Sequence, residues 1–223
     1  MRSASHQPAR TQATAWQDLP KTRLPNGLNI RYVSRRDVAF LYREVYEEQG
    51  YLKGLSLKRG DTVLDVGANI GLFALRAAET VGPEGRVVCM EPIPNAAAAL
   101  QHNILSHRDW CSAQGLSPAE ITVLSIGASD GMQASATFTC YPDAAGWSTM
   151  QPNHAEVQDG VAIYLRNSLG TQAGLEGSLL ISLASVLQRL LPEWLSQKLF
   201  RWYAGRMLSR STAVVALMDI TGQ

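Results

Sequence analysis

The feature that most constrains the fold of this chain is residues 61 to 71, which read Asp-Thr-Val-Leu-Asp-Val-Gly-Ala-Asn-Ile-Gly. The branched apolar run from Val63 to Val66 is typical of a buried parallel strand. Gly67 and Gly71 permit a tight turn at which any Cβ atom would collide with a ligand. A helix that begins at this turn directs its free amides and positive dipole end towards whatever lies above the strand. The pattern therefore predicts a strand, a ligand-binding turn and a helix.

A second strand ends at Glu91, twenty residues after Gly71. A carboxylate there accepts two hydrogen bonds from a ribose diol, although it can also cap the helix that follows. The glycine spacing is G-x-x-x-G, which lacks one glycine of the G-x-G-x-x-G pattern that lets a backbone approach a diphosphate. Asp65, inside the first strand, repels a diphosphate but suits a ligand with a cationic amine and a sulfonium. We predict S-adenosylmethionine (SAM) as the cofactor, and a nucleotide-dependent oxidoreductase is the disfavoured alternative.

The segment from Asp61 to Leu105, including VLDVGANIGLFALRAAETVGPEGRVVCMEPIPNAAAALQHNI, resembles the FkbM-type family of SAM-dependent methyltransferases. Weaker similarity extends upstream to Leu24 and downstream to Thr149, so about half of the chain is covered convincingly. The resemblance implies a three-layer class I methyltransferase fold with a Rossmann-like sheet. It also implies a SAM pocket above the first strands and methyl transfer to an oxygen of a small-molecule or sugar-like acceptor.

Motif positions in the resembling proteins imply the cofactor-binding residues of this chain. The methionine end is assigned to the strand and turn, the ribose to the second strand, and the adenine edge to the end of the third strand. No catalytic base is assigned, although His154, Asp143 and Asp159 are candidates. The implied cofactor-binding residues are Asp65, Gly67, Ala68, Asn69, Gly71, Glu91, Ser129 and Asp130.

The chain divides into four predicted regions. Residues 1–23 form a disordered tail, 24–60 an N-terminal hairpin and cap helix, 61–150 the SAM-binding core, and 151–223 a helical insertion with a terminal strand. Asn26-Gly27 marks the hairpin turn. Hydrophobic spacing predicts helices at 37–49, 70–81, 94–106, 178–191 and 192–210. Gly50 ends the first of these helices, and Pro192 separates the last two. Apolar and β-branched runs predict strands at 62–67, 86–91, 121–127 and 134–141.

The C-terminal third departs from the family pattern. Val215 to Gly222 reads as a degenerate version of the family's fourth core strand, with Asp219 in the acidic position and Thr221 where a glutamate is expected. We therefore expect a C-terminally truncated chain whose sheet is incomplete after the fourth core strand and exposes an apolar edge. A truncated, non-catalytic product is the alternative to an active enzyme.

Composition excludes several classes of function. With 20 basic and 19 acidic residues, the net charge of +1 gives no basic face for nucleic acid. Three cysteines without CxxC spacing indicate no disulfide framework or zinc site, and His102, His107 and His154 are expected at the surface, so no metal is predicted. No apolar run is long enough to span a membrane. We expect a soluble cytoplasmic protein, or an organellar one if residues 1–17 act as a transit peptide.

Overall fold

The computed structural model describes residues 16–48, 50, 54, 56–141, 145–150, 153–168, 192–207 and 211–221. Three predictions lie outside these residues: the first part of the disordered tail, the helix at 178–191, and the roles considered for Asp143. The described residues form a mixed α/β structure with eight strands and five α-helices among them.

An N-terminal hairpin and a helix precede the central sheet. Strand β1 (Lys21–Arg23) pairs antiparallel with β2 (Asn29–Arg31), and the connecting turn places Gly27 at a φ of +90°. Helix α1 (Arg35–Tyr42) begins after Ser34, whose hydroxyl accepts the Asp37 amide hydrogen, and continues as a π-helical turn. The cap explains why the helix begins two residues earlier than the apolar spacing predicts.

The prediction of a disordered tail up to residue 23 is wrong for residues 16–23. Leu19 is buried in the same apolar cluster as Leu24, and the Pro20 carbonyl accepts the Tyr32 amide hydrogen at 3.1 Å. Strand β1 itself starts at Lys21. The polar composition of this segment gave no sign of the contact. A single buried leucine is enough to attach so short a segment to the core.

A parallel three-stranded sheet forms the centre of the fold, as predicted. Strand β4 (Arg86–Met90) lies between β3 (Thr62–Val66) and β5 (Glu120–Leu124). Strands β3 and β4 pair in register from Thr62 beside Arg86 to Val66 beside Met90. Helices α2 and α3 connect these strands and pack against them. This is the βαβαβ arrangement of a Rossmann-like sheet. The connecting helices are α2 (Leu72–Val81) and α3 (Pro94–Ala113).

Helix α3 extends seven residues beyond its predicted end. One buried stripe runs along it at helical spacing, through Ala96, Leu100, Asn103, His107 and Cys111. The prediction that His107 lies at the surface is wrong, since this side chain is only 1% exposed. The stripe continues past residue 106 through polar and thiol side chains, which a hydrophobicity pattern does not count.

The C-terminal strand forms, but it does not extend the parallel sheet. Strand β8 lies between β6, to which it is parallel, and β7, to which it is antiparallel. Among the described residues β3 has one strand neighbour, β4, and its Leu64 and Val66 side chains are 53% and 52% exposed. Within the described part of the chain, β3 is therefore an edge strand with exposed apolar side chains. The strands are β6 (Gly127–Ser129), β7 (Ser135–Cys140) and β8 (Ser211–Asp219).

Two C-terminal helices, α4 (His154–Ser168) and α5 (Glu193–Met207), pack against each other. Helix α5 begins directly after Pro192, as predicted. No helix was predicted at the position of α4, and His154 is the first residue of that helix. Tyr141 is buried with the apolar faces of both helices. Among the described residues, no helix is both long enough and apolar enough to cross a bilayer.

Candidate functional site

A cavity of about 670 Å³ lies at the carboxyl end of β3. In open parallel sheets this end is where ligands bind. Asp65 and the turn that follows β3 supply most of the polar lining, and apolar side chains from helices α1, α2 and α4 supply the rest. The lining residues are Asp37, Phe40, Leu41, Val45, Asp65, Gly67, Ala68, Asn69, Leu72, Phe73, Gly146, Trp147, Gly160 and Ile163.

The turn after β3 adopts a backbone that few residues tolerate. Gly67 has a φ of +81° and Asn69 a φ of +52°. The amides of Gly67 and Ala68 both donate to the Met90 carbonyl, at 2.8 and 3.2 Å, which holds the turn against the tip of β4. A Cβ atom on Gly67 would meet no protein atom within 4 Å, so this side of the turn is open.

Gly71 serves a different purpose from the one predicted. Its φ is +90°, and a Cβ atom there would lie 2.2 Å from Cδ1 of Leu100, a fully buried side chain of α3. The expected collision is therefore with the protein core rather than with a ligand. Gly71 does not line the cavity; it allows the start of α2 to approach α3.

Asp65 lines the cavity and carries a carboxylate oxygen without a hydrogen-bond partner among the described residues. This oxygen, Oδ2, is buried. Burial raises the pKa of Asp65 to about 6. Because an uncompensated buried carboxylate is costly, this atom favours binding of a cationic group at the turn.

Glu91 follows directly on the tip of β4, and backbone groups occupy both of its oxygens. Oε2 accepts the Asn69 amide hydrogen at 2.7 Å, and Oε1 accepts the Ile93 amide hydrogen at 2.8 Å. Burial raises the pKa of Glu91, while these two hydrogen bonds oppose the rise. With 5% of its surface exposed, Glu91 bridges the turn to Ile93, the residue before α3.

Ser129 and Asp130 lie apart from the other predicted site residues. They line a second cavity of about 640 Å³, between the ends of β6, β7 and β8. Ser129 Oγ accepts the Gly131 amide hydrogen, and Asp130 Oδ1 accepts that of Met132. These bonds are those of a polar turn, and the structure does not bring the two residues into the cavity beside Asp65.

Of the candidates for a catalytic base, Asp159 has a described side-chain partner, and it does not line the cavity. Asp159 Oδ1 pairs with Arg201 Nε at 2.9 Å and joins α4 to α5. His154 is the first residue of α4, and Asp143 lies outside the described residues. The cavity instead contains Asp37, whose Oδ2 accepts the Gly146 amide hydrogen at 3.2 Å and holds the 145–147 turn over the site.

Sequence reasoning missed a buried amide that shapes the site. Asn103, fully buried on α3, donates from Nδ2 to the carbonyls of Ile70 and Arg31 at 2.9 and 3.0 Å. Its Oδ1 accepts the Arg31 amide hydrogen at 2.7 Å. One side chain thus joins the turn, the hairpin and α3. Its position on the stripe that begins at Ala96 was the available signal.

Comparisons with known proteins find sequence similarity to methyltransferases. A family model described as protein-L-isoaspartate (D-aspartate) O-methyltransferase matches residues 45–146. The chain is 34% identical over 153 residues to the 31-O-demethyl-FK506 methyltransferase FkbM of Streptomyces tacrolimicus, which covers 68% of this chain and 52% of the relative. It is also 34% identical over 90 residues to a protein-L-isoaspartate O-methyltransferase of Ignicoccus hospitalis, covering 40% of this chain and 36% of that protein. The chain therefore spans about half of the first relative and less of the second.

Similar solved structures include methyltransferases. A SAM-dependent methyltransferase from Aquifex aeolicus is 23% identical, covers 40% of this chain and 45% of its own, and has a TM-score of 0.27. Fibrillarin from Aeropyrum pernix, solved with natively bound SAM, is 16% identical, covers 70% and 57%, and has a TM-score of 0.26. Scores this low support no inference, so the fold rests on the sheet described above and on the sequence relatives.

Proposed function

The chain belongs to the SAM-dependent class I methyltransferases, with an FkbM-type protein among its relatives, and from this premise we propose that it methylates an oxygen of a small-molecule or sugar-like acceptor. The cavity beyond β3 is the proposed site of cofactor binding. The single observation that carries the proposal is Asp65, which lines this cavity and whose buried Oδ2 atom has no hydrogen-bond partner among the described residues.

The residues of the turn fit the methionine end of SAM. The Asp65 carboxylate offers a partner for the cationic amine, and an ion pair there offsets the cost of burying the charge. The open side of Gly67 and the left-handed Asn69 leave backbone within reach of a ligand. When bound, SAM supplies an electrophilic methyl group on its sulfonium.

Glu91 contributes to the same site indirectly in this proposal. Its carboxylate fixes the Asn69 amide and the start of α3, so it holds the turn in shape at the junction of the two strand tips. A ribose contact by the same carboxylate stays a prediction. It is chemically feasible, because a carboxylate oxygen with one hydrogen bond retains a further lone pair.

The cavity favours an acceptor of small-molecule size. Its volume of about 670 Å³ falls within the range of roughly 300–1,000 Å³ that is usual for small-molecule sites. Phe40, Phe73, Trp147 and Ile163 give it an apolar wall for a methyl donor and an acceptor. Catalysis then depends mainly on alignment of the two, with proton removal secondary.

Calorimetry with S-adenosylhomocysteine tests cofactor binding without knowledge of the acceptor. We expect a measurable heat for the wild type and at least about tenfold weaker binding for Asp65→Asn, since a charged hydrogen bond is lost. Asp130→Asn is the matched control, because Asp130 lies in the second cavity. Absence of heat for the wild type would reject the proposal, and heat with NADH instead would favour the oxidoreductase alternative.

A second assay separates the acceptor classes. Transfer of a labelled methyl group from SAM would be measured to a panel of hydroxylated small molecules and sugars, and in parallel to a peptide that contains isoaspartate. The family model named for isoaspartyl methylation motivates the peptide. Labelling of the small molecules alone is expected. Labelling of the peptide alone would replace the proposed acceptor with a protein carboxylate, and binding without any transfer would favour the non-catalytic alternative.

A further inference from the structure

A second group of reactive side chains lies away from the SAM cavity, between α2 and α3. Glu79 comes from α2, while His107 and Cys111 are four residues apart on α3. One ligand atom from each of the three lies within 4.8 Å of the others. His107 is 1% exposed, Cys111 is fully buried, and the Glu79 side chain is 11% exposed. None of these residues lines the cavity beside Asp65.

The contacts within this cluster converge on one atom. Nε2 of His107 lies 2.9 Å from Glu79 Oε1 and 3.3 Å from Cys111 Sγ, whereas the sulfur is 3.9 Å from Nδ1. A nucleophilic triad needs the carboxylate on one ring nitrogen and the nucleophile on the other. Here both groups meet the same nitrogen, and burial raises the pKa of the Cys111 thiol to about 11. The arrangement is therefore not that of an activated thiol.

We propose that Glu79, His107 and Cys111 bind a Zn²⁺ ion that joins α2 to α3. Thiolate, imidazole and carboxylate are the three ligand types that zinc accepts, and two of them stand at the i, i+4 spacing common for metal ligands on a helix. This assignment departs from the prediction that the chain has no metal site. The sequence signal was the pair His107 and Cys111, which a search for histidine pairs alone passes over.

The distances fit a metal site after a small adjustment. Zinc–ligand bonds of about 2.0–2.3 Å place neighbouring ligands of a tetrahedral ion about 3.3–3.6 Å apart. The sulfur-to-nitrogen distance of 3.3 Å meets this already. The carboxylate, at 2.9 Å from Nε2, has to withdraw by a few tenths of an ångström as the ion replaces the shared proton.

The charges around the cluster favour a divalent cation. A thiolate and a carboxylate together neutralise Zn²⁺, and metal binding removes the proton from a buried thiol. Arg76 Nη1 lies 2.9 Å from Glu79 Oε2, so it orients the carboxylate from outside the cluster and leaves Oε1 directed at His107.

Tyr46 supplies an independent observation. Its hydroxyl is buried without a hydrogen-bond partner among the described residues, and burial raises its pKa, with smaller contributions from Glu79 and Cys111. Arg76 lies 6.0 Å from the centre of its ring. A polar group in this position is costly to bury alone, and a fourth coordination position on the zinc, directly or through water, satisfies it.

Metal analysis of the full-length chain tests the proposal. The protein is purified without a metal-affinity step, stripped with a chelator under reducing conditions, and titrated with Co²⁺ and then Zn²⁺. We expect one equivalent of zinc per chain, a thiolate-to-cobalt charge-transfer absorption that zinc abolishes, and a Tm that falls on chelation. Cys89→Ala, which removes a buried cysteine outside the cluster, should keep all three.

Variants of the cluster give the contrast. Cys111→Ala should abolish the charge-transfer absorption, and His107→Ala and Tyr46→Phe should weaken zinc binding by at least about tenfold. The wild-type titration decides the question even if Cys111→Ala does not fold. Less than about one-tenth of an equivalent of zinc in the wild type, with no cobalt–thiolate absorption, would overturn the proposal. Retention of that absorption in a folded Cys111→Ala protein would overturn it as well.

Discussion

The Glu91 carboxylate connects two neighbouring strand tips by accepting the Asn69 amide hydrogen at 2.7 Å. Asn69 has a φ of +52°, a conformation that costs free energy unless its surroundings hold it. Glu91, at the end of β4, therefore stabilises the turn at the end of β3. The second oxygen holds the Ile93 amide at the start of α3, so one buried side chain organises three elements.

Glu91→Ala should lower the free energy of unfolding by about 1–3 kcal/mol, because it leaves two buried amides without acceptors. Urea unfolding measures this, and Glu84→Ala, in an exposed turn, is the neutral control. Glu91→Gln retains one acceptor and should lose less stability. If Glu91→Gln keeps its stability but binds S-adenosylhomocysteine at least about tenfold more weakly, the carboxylate also contacts the ligand. Unchanged stability of Glu91→Ala would contradict the bridging role.

Asp65 should make the ligand-free protein less stable as pH rises. Its folded pKa of about 6 lies above the ordinary value of about 4, so the folded state retains a proton that the unfolded chain releases. The free energy of unfolding then falls between about pH 4 and pH 6 and stays level above that window. Asp65→Asn should remove this fall and gain about 1–3 kcal/mol at pH 7, while losing ligand affinity. A parallel loss of stability and affinity would contradict this account of Asp65.

Gly71→Ala and Gly67→Ala should affect different properties. The Gly71 substitution forces a Cβ atom against Leu100 and should cost about 2–4 kcal/mol. Adding Leu100→Ala should recover part of that loss, because the colliding atoms are removed. The Gly67 substitution meets no protein atom and should cost about 1 kcal/mol, for its positive φ alone. It should instead weaken S-adenosylhomocysteine binding, and equal effects of both variants on calorimetry and urea unfolding would contradict the distinction.

Asn103→Ala should cost about 2–4 kcal/mol, since it leaves the carbonyls of Ile70 and Arg31 and one amide without their partner. Gln101→Ala, on the exposed face of the same helix, is the matched control and should be close to neutral. Hydrogen exchange should show faster opening of the turn in Asn103→Ala alone. If the two variants unfold at the same urea concentration, the buried amide does not hold the turn.

The local sequence predicted the parts of the fold that depend on near neighbours. The strand from Thr62, the helix that follows it and the strand that ends before Glu91 were all predicted within two residues, because apolar period and glycine punctuation act over a few residues. The C-terminal strand was also predicted. Its partners were not, because pairing depends on which distant strands offer a matching edge and apolar face.

The same division applies to individual side chains. Asp65 and Gly67 line the cavity, since strand polarity alone places them at the carboxyl end of β3, and their contact with a cofactor stays a prediction. Ser129 and Asp130 were expected beside them, but their strand turns into a second sheet and carries them to another cavity. His107 was expected at the surface, because a lone histidine gives no signal until the buried stripe of α3 is seen.

The sequence by itself determined the order of the central strands and helices from β3 to β5, and the position of the turn that follows Asp65. These follow from residue spacing and backbone preference, which are properties of short segments. Only the tertiary structure decided that Gly71 is required by Leu100, that Glu91 bridges two strand tips, and that Glu79 meets His107 and Cys111. In each of these relations, residues that are 20 or more positions apart in the sequence lie next to each other in space. Only close packing of the chain produces such contacts.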